Sequence, residues 1–214
     1  MVLIEVWSDV VCPWCFIGRR RLQAALAEFE HAGQVRVEHR AFQLQPDAAG
    51  VVPTTQYLAE RYGVGDDQVR AMQANVCAIA DGVGLCYDLD ATLSGNTRDA
   101  HRLLLWAQSQ GRAQELIERM YSGYFEHGRS LFDDKSLLAF VDEVGLDRAT
   151  AQQVLATDAF NADVDEHARL ASDFGASGVP FFVFDRKYGI SGAQPTEAFT
   201  QTLHAAWSAR GTDA

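Results

Sequence analysis

Two cysteines separated by two residues, Cys12-Pro13-Trp14-Cys15, stand between a short β-rich run and a long helical one. No other feature constrains the fold as much. Residues 2–7 alternate and are rich in β-formers, which predicts a strand, and Ser8-Asp9-Val10-Val11 reads as a short connection. From Phe16 onward, Ile17, Leu22, Ala25, Leu26 and Phe29 recur at helical spacing, and Gly33 is placed to end that helix at C′. Proline suits a first helical turn because its missing N–H has no intrahelical partner there. Residues 35–42 alternate again. The chain therefore opens β-α-β, with the cysteine pair at the start of the helix.

That placement has a chemical consequence. A sulfur at a helix N-terminus meets unpaired backbone N–H groups and the positive end of the macrodipole, both of which favour a thiolate. Free cysteine titrates near ~8.5, whereas Cys-x-x-Cys sites fall to roughly 3.5–7.5. Cys12, the more N-terminal, is the expected nucleophile. Cys15, one turn inward, is placed to resolve a mixed disulfide or to close a disulfide with Cys12. The same residues also admit two plainer readings. They could be small buried hydrophobes, or half of a zinc site. A zinc site needs more ligands, and Cys77 and Cys86, with eight residues between them, have the wrong spacing for a second half. The βαβ setting favours redox chemistry, and no metal is expected.

The rest of the chain divides in two. Residues 46–53 are turn-rich, and from there to about residue 174 the patterns are helical, with no strand expected. Val69, Met72, Val76 and Ile79 form one apolar stripe. Thr97 reads as the N-cap of a helix through Leu103, Leu104 and Trp106. Leu116, Ile117, Met120 and Tyr124 continue the pattern, as do Leu137, Leu138 and Val141, then residues 160–174. Gly63, Gly82, Gly111, Gly145 and Gly175 fall where helices should stop. β character returns at residues 178–185, and a second short strand follows at 188–191, spaced for an antiparallel hairpin. A last helix is expected from about Pro195 to Trp207. The fold class is α/β, in the order β-α-β, helical block, β-β-α, with residues 1–50 and 175–214 as one domain and 51–174 as an inserted helical one.

Composition narrows the partners. With 18 Lys+Arg against 29 Asp+Glu the formal net charge is −11, which disfavours nucleic acid. No apolar run approaches the ~20 residues that a membrane-spanning helix needs. Glu5 interrupts the N-terminal apolar stretch and no basic leader precedes it, so a cytoplasmic protein is expected, in which cysteines stay reduced unless they turn over.

Three segments in order, Ser8-Asp9-Val10-Val11-Cys12-Pro13-Trp14-Cys15, Gly95-Asn96-Thr97-Arg98-Asp99-Ala100-His101-Arg102-Leu103 and Gly178-Val179-Pro180-Phe181-Phe182, together with the ending Gly189-Ile190-Ser191-Gly192-Ala193-Gln194-Pro195, resemble DsbA-family thioredoxin-fold proteins of the FrnE-like type. The resemblance implies a thioredoxin-like fold with a large helical insertion. It also implies that Pro180 is a cis-proline facing the cysteines, although at the roughly 5–6% frequency of cis X–Pro bonds the residues alone make no case for it. Val179 would then offer backbone groups to an extended substrate segment. The implied activity is thiol–disulfide oxidoreduction or isomerisation, the FrnE type being labelled as dithiol isomerases of polyketide biosynthesis. Cys12 and Cys15 are the catalytic pair, and Pro13, Trp14, Val179, Pro180 and His101 face substrate. No resident cofactor is implied, and glutathione is a candidate redox partner beside a dithiol or disulfide protein or a small thiol. The related 2-hydroxychromene-2-carboxylate isomerases and kappa-class glutathione transferases carry serine where Cys12 stands. A glutathione-dependent isomerase or transferase acting on a small aromatic substrate is therefore the alternative, and a non-catalytic binding protein a third reading.

Secondary candidates remain. His101 could line the pocket over Cys12, or be a helix-face histidine with one polar neighbour. Asp9 could shuttle protons to Cys15, but an exposed loop carboxylate is the simpler reading. Cys77 and Cys86 could form a second redox pair, whereas Cys77, next to Val76, reads more simply as core. Phe181, Phe182 and Phe184 read as sheet core.

Overall fold

The computed structural model describes residues 1–210. Strand β1 (Val2–Ser8) leads into helix α1 (Pro13–Glu28), and the chain returns as β2 (Val35–Ala41), parallel to β1 and in register from Val2 opposite Val35 to Ser8 opposite Ala41. Strands β5 (Phe181–Phe184) and β6 (Tyr188–Ser191) complete the sheet, in the order β2-β1-β5-β6, with β5 antiparallel to both of its neighbours. Central β1 and β5 alternate as strands covered on both faces should. Ile4, Phe182 and Phe184 point towards α1 and the last helix α9 (Thr196–Ala209), where Leu22, Phe199 and Leu203 meet them. Trp7, Phe181 and Val183 point the other way, onto Ala171 of helix α8 (Asn161–Asp173).

Between the sheet halves lie α2 (Thr54–Tyr62), α3 (Asp66–Asp81), α4 (Arg98–Ser109), α5 (Ala113–His127), α6 (Asp134–Glu143), α7 (Arg148–Ala156) and α8. The expected purely helical block contains two short strands as well, β3 (Val52–Pro53) and β4 (Leu93–Ser94), paired antiparallel. Two residues carry no alternation to read, and one of them is proline, so the ladder left no sequence signal. Helix α7 buries only Ala151 and Val154, too sparse a stripe to register as amphipathic.

Two local expectations also change. Helix α1 ends at Glu28, because Phe29 turns extended and buries its ring against Trp207; Gly33 lies beyond, in a 3-10 turn over residues 32–34. Thr97 does precede α4, but its hydroxyl makes no capping bond and is buried without a partner. Asn96 supplies the acceptor instead, its Oδ1 taking the Arg98 N–H at 2.8 Å.

The helical block is not a separate ball beside the sheet. Its core continues into the first turns of α1, where Val10, Cys12, Cys15, Phe16 and Ile17 pack with Leu103, Ile117, Tyr121 and Phe125. The Phe16 ring stacks on Tyr121 with centroids 4.9 Å apart. The cysteine motif is thus part of the insertion's own core, with α5 packed against its first turns.

Candidate active site

Cys12 occupies the N-cap of α1 in an extended conformation, and Pro13 takes the first helical position. The connection before it is a tight turn: the Cys12 N–H donates to the Asp9 carbonyl at 3.1 Å, and the Cys15 N–H donates back to the Cys12 carbonyl at 3.0 Å. Both cysteines are free and buried. Burial, followed by the hydrogen bond and charge of Cys12, pushes the Cys15 thiol well above the ordinary cysteine range. The inner sulfur is therefore held as a thiol until something takes its proton.

The loop before β5 closes over the outer sulfur. The Val179–Pro180 peptide is cis, and the Cys12 thiol points at the Val179 carbonyl, Sγ to O 3.7 Å. Gly18 allows this approach. A Cβ there would stand 3.1 Å from both Pro180 Cγ and Phe182 Cζ, so a side chain would make these two rings give by a few tenths of an ångström. Tyr87, which carried no sequence signal for the site, pins the motif from the insertion by donating its hydroxyl to the Pro13 carbonyl at 2.8 Å.

In front of Cys12 lies a groove of about 360 Å³ between the motif, the Val179 loop and helices α2 and α3. Cys12, Pro13, Trp14 and Val179 form its floor, and Leu44, Tyr62 and Met72 its rim, with Arg61 the cation among the lining residues. Those three rim side chains are among the few large apolar residues left in water, at 43%, 55% and 42% exposure. Met72, one member of the expected apolar stripe, is therefore part of an open surface; Val69 of the same stripe is fully buried. Clustered exposed apolar side chains beside a reactive group mark a binding surface.

Behind the motif the environment inverts. Asp9, read as an exposed loop carboxylate, has no exposure at all. Its Oδ2 accepts the Leu44 N–H at 2.7 Å and its Oδ1 meets His101 Nε2 at 3.2 Å. His101 is equally buried and lies behind Asp9, with a second polar neighbour, His39, at 3.2 Å; it is not among the residues lining the groove over Cys12. His39 and Ser8 complete this row, and only a β-strand position facing the insertion could have signalled His39. Cys77 is half-buried with its sulfur towards the Tyr87 carbonyl, and Cys86 is exposed; neither lines the groove, and both are free thiols.

No cluster of potential metal ligands occurs among the described residues, and no described helix is long and apolar enough to cross a membrane. The chain superposes on a probable DsbA oxidoreductase of Streptomyces coelicolor with a TM-score of 0.93 at 42% identity, covering 97% of this chain and 91% of that one. An uncharacterized Bacillus subtilis protein, YwbO, is 26% identical over 207 residues, 94% of this chain and 96% of its own length. The fold extends to the cytosolic disulfide reductase DsbM of Pseudomonas aeruginosa, solved with glutathione, at 19% identity and TM-score 0.68 over 96% of this chain and 99% of that one. The DsbA-like thioredoxin domain matches residues 3–204, spanning the sheet and the helices between its halves alike, so the chain as a whole belongs to that family.

Proposed function

We propose that this member of a thiol oxidoreductase family exchanges disulfides through Cys12 as attacking sulfur and Cys15 as resolving thiol. One observation carries the reading: of two buried cysteines on one helical turn, Cys12 lines the groove, whereas Cys15 lines a separate small cavity behind it. In the forward direction Cys12 displaces one sulfur of a substrate disulfide. Cys15 then loses its proton and attacks Cys12, releasing the second substrate sulfur and leaving a Cys12–Cys15 disulfide. The reverse sequence oxidises a dithiol. The apolar rim supports a disulfide-bearing peptide as substrate. Arg61 in the same groove supports a small anionic thiol such as glutathione as the electron partner. A cytoplasmic location belongs to the same proposal, and cell fractionation tests it.

The decisive experiment uses Cys15→Ala. With the resolving thiol gone, disulfide substrates should accumulate as mixed disulfides on Cys12, visible by mass spectrometry and absent from Cys12→Ala, while steady turnover falls about 100-fold or more in both. An untrapped Cys15→Ala variant that still turns over would overturn the assignment. The aromatic lining contributed by Trp14, Tyr57 and Tyr62 supports the alternative of a glutathione-dependent isomerase acting on a small aromatic molecule. Isomerisation that survives loss of Cys15 would select that alternative.

A further inference from the structure

The buried row behind the motif is continuous. Ser8 Oγ lies 3.3 Å from His39 Nδ1, His39 Nε2 lies 3.2 Å from His101 Nδ1, and His101 Nε2 lies 3.2 Å from Asp9 Oδ1. None of the four residues is more than 3% exposed. With Asp9 ionised and both imidazoles neutral, one ordering of protons satisfies every atom. The carboxylate only accepts, so His101 Nε2 must donate to it. His101 Nδ1 then accepts from His39 Nε2, and His39 Nδ1 accepts from the Ser8 hydroxyl. Every hydrogen in the row points towards Asp9.

The near end of the row meets Cys15. A small cavity of about 30 Å³ is lined by Cys15, Ser8, His39, Gln114 and Tyr121 among others. That is room for one water, in a mostly apolar wall to which Ser8, His39 and Tyr121 bring polar side chains beside Cys15. Cys15 does not line the groove, where a captured substrate would in any case cover Cys12. The proton that Cys15 must lose therefore has its route on this inner side.

We propose that Ser8, His39 and His101 carry the Cys15 proton to Asp9 as Cys15 attacks the mixed disulfide, a role that rests on the functional reading above. The Cys15 S–H bond breaks and its proton passes through a water in the cavity to Ser8 Oγ. Ser8 passes its own proton to His39 Nδ1, His39 Nε2 passes one to His101 Nδ1, and His101 Nε2 passes one to Asp9 Oδ1. The Cys15 sulfur bonds to the Cys12 sulfur, and the electron pair of the broken S–S bond leaves with the substrate thiolate. The net change is a carboxylate protonated for a thiol oxidised, and the substrate disulfide is the sole oxidant. Each imidazole ends neutral in its other tautomer.

Acid-quenched mass spectrometry with oxidised glutathione as the probe separates the two steps in the full chain, since the Cys12 mixed disulfide is heavier than either end state. Ser8→Ala and His39→Gln should capture glutathione within about twofold of the wild-type rate and resolve it about tenfold more slowly or worse, the scale of lost general acid–base assistance. Ser8→Thr, which keeps the hydroxyl, should restore resolution to within about threefold. Ser8→Ala removes only one oxygen, so it reports even where His39→Gln fails to fold. Resolution at the wild-type rate in folded Ser8→Ala overturns the proposal, as would equal slowing of both steps, the mark of a merely structural role. If Cys15→Ala forms no mixed disulfide with oxidised glutathione, the functional reading itself fails and this inference falls with it.

Discussion

The two sides of one helical turn are built from opposite materials. In front of Cys12 the surface is apolar and open, with Leu44, Tyr62 and Met72 left in water at the rim of the groove. Behind Cys15 it is polar and dry, with Ser8, Asp9, His39 and His101 joined in one hydrogen-bonded row. A polar group in a dry site costs free energy unless every atom is paired, whereas an apolar group in water costs little structure and leaves surface free to bind. Substitutions behind the motif should therefore change stability first, and substitutions in front should change substrate affinity with stability left alone.

The largest effect is expected at Asp9. Asp9→Ala strands His101 Nε2 in a dry site, at about 1–3 kcal/mol for such an unpaired group, and also removes the part-buried acceptor of the Leu44 N–H. Urea unfolding should register a loss of about 3 kcal/mol. A loss below about 1 kcal/mol would break the contrast between the two sides.

Acid sharpens it next. Burial holds His39 well below the ordinary histidine value and lowers His167 to about 4. His167 Nδ1 accepts the Ala41 N–H at 3.1 Å, which its protonated form could not do. In the unfolded chain both take up a proton near ~6.5. Since the unfolded state then binds more protons, stability is full above about pH 6.5 and falls as the pH drops towards 4. Glu5 adds to this only at the acid end. Burial raises its carboxyl, but hydrogen bonds from Arg186 and Arg40 more than reverse that, so its support is lost below the usual carboxylate range. Urea midpoints at pH 7.5 and 5 should differ clearly, and Met72→Glu, a change at the front, should leave that difference unaltered.

Gly18→Ala tests the seam between the sides. Its Cβ would press on Pro180 and Phe182 at 3.1 Å. Overpacking costs about 1–3 kcal/mol, and the helix recovers up to about 1 kcal/mol from alanine. A net loss of about 1 kcal/mol is expected by urea unfolding, with a slower first exchange at Cys12 because the Val179 carbonyl adjoins the displaced Pro180. An unchanged exchange rate would uncouple Gly18 from the site.

How much of this could be read from residues alone follows the same division. The β-α-β opening, the closing hairpin and the cysteine pair rest on local patterns, namely alternation, helical spacing and a proline at a first turn, and all were legible. The polar row was not. Ser8, Asp9, His39 and His101 come from a strand end, a loop, a second strand and a helix of the insertion, and nothing local distinguishes a carboxylate buried by a distant helix from one in water. Asp9 was misread for that reason. Met72 marks a different limit, because an apolar stripe records which residues avoid water without recording whether the surface they share is filled by the protein or left for a ligand.

Met72 also provides the smallest and most selective test. It is 42% exposed, so replacing it removes little packing, and a surface change of this kind moves stability by less than about 0.5 kcal/mol. A substrate lying across the rim would bury roughly 50 Å² of it, worth about 1 kcal/mol at 25 cal/mol per Å². Met72→Glu should thus raise KM for an apolar disulfide peptide about fivefold, since 1.4 kcal/mol is tenfold, and leave kcat unchanged because Cys12, Cys15 and the row behind them are untouched. The uncharged Met72→Gln, which loses the same apolar contact without placing a carboxylate in the groove that holds Arg61, should also raise KM for the peptide severalfold but for oxidised glutathione, which brings little apolar surface to the rim, less than twofold. Equal effects of Met72→Gln on both substrates would mean that lost apolar contact is not the cause, and the rim would then have no part in choosing what reaches Cys12.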